Sequence, residues 1–131
     1  MRWWSMAVCA ALLAAAAPAA GQGASPDAQA TARARGEEGL KLYQAGKWDE
    51  AFAAFERADG LFHAPTLVVF MANCRRNQGR LVEARALYEK VVSEPLPRDP
   101  PEAFKKAQAT ARTELEALRG RLPQVLSLIH I

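Results

Sequence analysis

The chain says nearly the same thing twice, 33 residues apart. Gly46-Lys47-Trp48-Asp49-Glu50-Ala51, running on to Phe55-Glu56-Arg57, returns as Gly79-Arg80-Leu81-Val82-Glu83-Ala84 and Tyr88-Glu89-Lys90. A unit that recurs at such a period is one supersecondary element that cannot bury its apolar face alone, so neighbouring copies must stack. That restricts the chain to a quasi-linear array. It also points to binding rather than catalysis as the class of function.

Within each copy the apolar residues recur at spacings of three and four, the period of an amphipathic helix. Trp48, Ala51, Phe52, Phe55, Ala58 and Phe62 predict a second helix that buries one face, and Leu81, Ala84, Leu87, Tyr88, Val91 and Val92 predict a fourth. The helix before each begins at a proline, which is tolerated at a first helical position because its missing donor would be unpaired there anyway. Ser25-Pro26-Asp27 starts the first helix, about Pro26 to Ala45, and Pro65 starts the third, to Asn77. Gly46 and Gly79 end them, supplying the positive φ that helix ends often require. The loops are short, so successive helices run antiparallel. Two hairpins follow, about 26–64 and 65–94. A proline-rich loop, 95–100, cannot be helix. A cap helix at 101–120, with Asp99 before it and Ala103, Phe104, Ala107, Ala111, Leu115 and Leu118 on one side, closes the stack; Gly120 and Pro123 are expected to break it. Residues 123–131 have the look of a truncated or foreign tail.

The N-terminus reads differently. Arg2, the apolar run Trp3 to Ala17 and the small residues around Ala17-Pro18-Ala19 describe a secretory signal peptide, residues 1–21, followed by a flexible leader, 22–25. The run is too short for a comfortable membrane span. Cys9 lies inside this segment, so Cys74 would be the one cysteine of the exported chain, expected to be buried as a small hydrophobe. Removing Arg2 lowers the formal charge from +3 to +2, too balanced to argue for nucleic acid. The domain, 26–122, is expected to be periplasmic or secreted.

These residues resemble tetratricopeptide repeats (TPR): Gly39, Leu42, Gly46, Ala51, Phe55 and Ala58 in the first copy, then Val68, Met71, Ala72, Gly79, Ala84, Tyr88 and Val91 in the second. Arg35, Glu38 and Arg75 depart from the pattern by standing where it prefers large apolar or aromatic residues. The resemblance implies an all-α stack of antiparallel helical hairpins, wound as a right-handed superhelix, with a C-terminal capping helix. It further implies a concave groove that accepts a peptide or protein segment. Carried over by position, the groove presents Gly36, Leu40, Tyr43 and Gln44 from the first hairpin and Val69, Phe70, Asn73, Arg76 and Asn77 from the second. Asn73, Arg76 and Asn77 would bond a carboxylate or extended backbone, while Tyr43 and Phe70 would supply apolar contact. A partner of unstated identity is therefore expected, and no nucleic acid.

The inventory offers little to catalysis. No glycine-rich phosphate loop, paired cysteines, His-Glu-x-x-His or nucleophile elbow occurs, so neither cofactor nor metal is expected. Histidine is limited to His63, at a hairpin junction, and His130. The competing class is structural: a spacer or tether for a C-terminal envelope module.

Overall fold

The computed structural model describes residues 25–129, with side-chain surroundings through Leu122. The described residues fold as five helices and no strand: α1 (Pro26–Gln44), α2 (Trp48–Leu61), α3 (Pro65–Asn77), α4 (Leu81–Ser93) and α5 (Glu102–Ile129). The all-α expectation is met. Reading of the signal segment concerns residues outside those described.

Helix boundaries follow from local chemistry. The Ser25 hydroxyl accepts from the Ala28 amide at 3.1 Å, satisfying one of the donors a helix start leaves orphaned. At the other end of α1, Gly46 adopts φ +74°, its amide bonds the Tyr43 carbonyl, and the Lys47 amide reaches back to that of Leu42. The α3 terminus repeats this arrangement: Gly79 at φ +76°, Gly79 to Arg76, and Arg80 to Arg75. Both are Schellman motifs, and both turn the chain straight into the next helix.

The helices pack in sequence, α1 on α2, α2 on α3, α3 on α4 and α4 on α5, and α5 also rests on α3. Two joined cores result. Between the hairpins, Ala51, Phe55, Met71 and Cys74 are buried, with Phe70 and Leu67 packed against them. Between the second hairpin and α5, Ala72, Ala84, Tyr88, Val91, Ala111 and Leu118 are buried. The recurring positions have recurring roles: Ala51 and Ala84, Phe55 and Tyr88, and Ala58 and Val91 are all at most 1% exposed. Ala51 and Ala84 let the helices approach closely, and Phe55 and Tyr88 fill the space between neighbouring elements.

Central α3 is enclosed by three neighbours and buries Val68, Val69, Met71, Ala72 and Cys74. Among the described residues α1 packs chiefly on α2, and it buries only Ala32 and Gly39. That explains Arg35 and Glu38, which pair at 2.9 Å on the surface while Val68 and Met71, 33 residues on, are buried. Arg75 is also accounted for: its guanidinium lies 3.7 Å over the Phe52 ring and bridges Asp49 and Glu83, joining α2, α3 and α4.

One helix differs from expectation. The Pro101 carbonyl accepts from Phe104 and Lys105, so Pro101 caps α5 rather than opening it. At its far end α5 does not stop at Gly120. Leu118 and Leu122, four residues apart, are both buried, and burying a leucine is worth about 1.5–3 kcal/mol against a glycine penalty of about 1 kcal/mol. The helix runs on through Pro123 to Ile129, where the sequence suggests a separate tail.

Candidate functional site

α1 and α3 are held apart by α2, which packs against both, and the space between them is a cleft of about 520 Å³. Its α1 wall is Ala32, Gly36 and Leu40, edged by Arg33 and Glu37; its α3 wall is Thr66, Leu67 and Phe70. Phe55 forms part of the lining, the turn residues Phe62 and Ala64 close one side, and Ala103 of α5 reaches in. The surface is predominantly apolar, with charge confined to the rim. Such a concavity removes an apolar side chain from water while leaving backbone groups to be met at its edge.

Glycine makes the cleft possible. A Cβ at Gly36 would lie 3.5 Å from Leu67, in ordinary contact, so the bare backbone there is what leaves room between the walls. Gly39 is different: a Cβ there would come within 2.8 Å of the Phe55 ring. Phe55 cannot yield, since it is 1% exposed and stacked on Phe70 with centroids 5.0 Å apart. Gly39 therefore sets how closely α1 approaches α2, and with it where the α1 wall stands.

The positions expected to form a groove are divided between two places. Gly36, Leu40 and Phe70 line the cleft. Tyr43 sits beyond it, edge-on to both Trp48 and Phe70, and its hydroxyl accepts from the Asn77 side chain at 3.4 Å. Gln44 is exposed nearby. Val69 is buried in the core between the second hairpin and α5, and is not on a binding surface. Asn73 accepts a hydrogen bond from the Tyr88 hydroxyl, and Arg76 is paired with Glu114 of α5. Their polar groups thus have partners within the fold.

Those pairings have a clear physical basis. α5 crosses the C-terminal half of α3, so polar groups there must be satisfied by neighbours. Burial holds the Tyr88 phenol above its ordinary range, keeping the hydroxyl a donor to Asn73. The hydrogen bond that Arg76 donates to Glu114 likewise holds its guanidinium in the charged form. Every deeply buried side-chain nitrogen and oxygen among the described residues has a partner.

Sequence reasoning missed Ala32, Phe62, Ala64, Thr66, Leu67 and Ala103. Ala32 carried a usable signal, standing seven residues before Gly39 on one helical face. Ala103 did not, because only the path of α5 brings it to the cleft.

Among the described residues no group of three or more His, Cys, Asp or Glu is placed to hold a metal ion. Cys74 is wholly buried, and burial pushes its thiol up to about 11, which keeps it an inert packing element. No described helix is long and apolar enough to cross a membrane. Compared with known proteins, the chain matches no family model, no curated protein and no solved structure.

Proposed function

We propose that this chain is a non-catalytic, tetratricopeptide-like interaction domain that holds an apolar peptide or protein segment in the cleft between α1 and α3. The observation that carries this reading is the cleft itself: an apolar channel, with Gly36 in its α1 wall, between two helices that both pack on the intervening α2. The repeat resemblance supports it, since the small and aromatic positions of both copies are buried alike and both first helices end in the same glycine motif. The right-handed superhelical stack and the location in the cell envelope are part of the proposal, the latter resting on the signal-like residues 1–21. An extended segment seated here would place alternate side chains against Leu40, Leu67 and Phe70 and its charged groups beside Arg33 or Glu37.

The test is selection of binding peptides from a random display library, followed by measured affinities for three variants. Gly36→Leu fills the channel and Leu40→Asp charges its wall; both should weaken the selected peptides at least tenfold. Val82→Asp, on an α4 residue that is 73% exposed and away from the cleft, should leave binding unchanged. Equal binding by all three, with unaltered thermal unfolding, would move the site elsewhere. A loss seen instead in Tyr43→Ala and Gln44→Ala would place it at the far end of α1.

A further inference from the structure

The turn that joins the hairpins carries His63, and the ring is held on both edges. Nδ1 lies 2.8 Å from Oδ1 of Asp59, at the end of α2, and Nε2 lies 2.6 Å from Oε1 of Glu94, just past α4. A neutral imidazole has one N–H and can donate to only one of these carboxylates. The imidazolium donates to both. The geometry is complete, then, only when the ring is charged.

The surroundings add to this. Asp59 Oδ1 also accepts from the Ala64 amide at 3.1 Å, so the same carboxylate fixes the entry to α3. On the other side, Gln108 of α5 donates to the Val91 and Glu94 carbonyls, at 3.1 and 2.8 Å, which pins the segment that carries Glu94. One relay, Asp59 to His63 to Glu94 to Gln108, therefore runs from α2 through the turn to the end of α4 and on to α5. Among the described residues, the charged groups acting on His63 are Asp59 and Glu94. The first turn of α3 is uncharged, α5 offers the neutral Gln108, and Glu102 at the start of α5 is occupied by Lys105. The carboxylates sit on opposite edges of the ring, so the cluster is not a metal site.

We infer that His63 is a pH-sensitive clamp that fastens the first hairpin to the second when its ring carries both protons. Burial of the ring, the largest single influence, lowers its proton affinity; the hydrogen bond to Glu94 and the charge and hydrogen bond of Asp59 outweigh it and hold the group above its ordinary value. A histidine raised in the folded state contributes stability in full below the unfolded value of about 6.5 and loses it as the pH climbs through the folded value. Opening the clamp frees one edge of the turn. Phe62 and Ala64, which flank His63, line the cleft, so the clamp sits directly beside it.

The test uses the full chain carrying His130→Gln, which leaves His63 as the one histidine. Its imidazole is titrated by NMR from pH 5 to 9, and thermal unfolding is followed over the same range. The expected results are a midpoint above about 6.5 and a lower midpoint in Glu94→Gln. The advantage in Tm over His63→Gln should also be lost as the pH rises through the midpoint. A midpoint at or below that value, one unmoved by Glu94→Gln, or a Tm advantage that is the same at every pH would overturn the inference. The titration of the parent chain decides the first point even if a substituted protein does not fold.

Discussion

At the scale of single residues, two glycines three positions apart have opposite duties. Gly39 is buried against the Phe55 ring, and Gly36 opens onto the cleft. Replacing a helical glycine with alanine gains about 0.5–1 kcal/mol from backbone propensity when nothing is in the way. Gly36→Ala is therefore expected to raise stability by about that amount. Gly39→Ala forces a Cβ into a ring that cannot move, and overpacking of this kind costs about 1–3 kcal/mol, which exceeds the gain. The two variants should shift the midpoint of urea unfolding in opposite directions, and a shared direction would mean that the helix spacing is not set at Gly39. Arg75 makes a second point at this scale. It departs from the aromatic that the repeat pattern prefers, yet it packs its planar cation on Phe52 and answers carboxylates from two helices, so one side chain supplies both the contact and the ties.

At the scale of elements, the two positive-φ glycines are the hinges of the design. Gly46 and Gly79 have open space around the missing Cβ, so the demand on them is conformational and not steric. Gly46→Ala and Gly79→Ala should each lower stability by about 1 kcal/mol, read from chemical denaturation with an unchanged m-value. Helix existence and the breaks between helices were legible in the sequence, because the signals are local: prolines at helix starts, glycines at helix ends, apolar residues every three or four. The end of α5 was not, since Gly120 is a breaker by propensity while the burial of Leu122 depends on where α4 lies. The site was half legible for the same reason. Gly36, Leu40 and Phe70 follow from the positions carried over with the repeat resemblance, whereas Asn73 and Arg76 look available until Tyr88 of α4 and Glu114 of α5 are found to occupy them.

At the scale of the whole molecule, stability is a chain of neighbour contacts. α5 covers Ala84, Tyr88 and Val91 of the second hairpin, so truncation after Pro97 would expose a core face that includes a large aromatic ring. The shortened chain is expected to unfold over a broad range and to bind hydrophobic dye, where the full chain melts sharply. An equally sharp melt would show that the two hairpins suffice. α2, α3, α4 and α5 each rest on two or more neighbours, and α1 leans chiefly on α2. Detaching α1 breaks chiefly one helix pair, its packing on α2, whereas detaching any of α2 to α5 breaks two or more. Loss of α1 would therefore take away one wall of the cleft while leaving the packing among α2 to α5 in place.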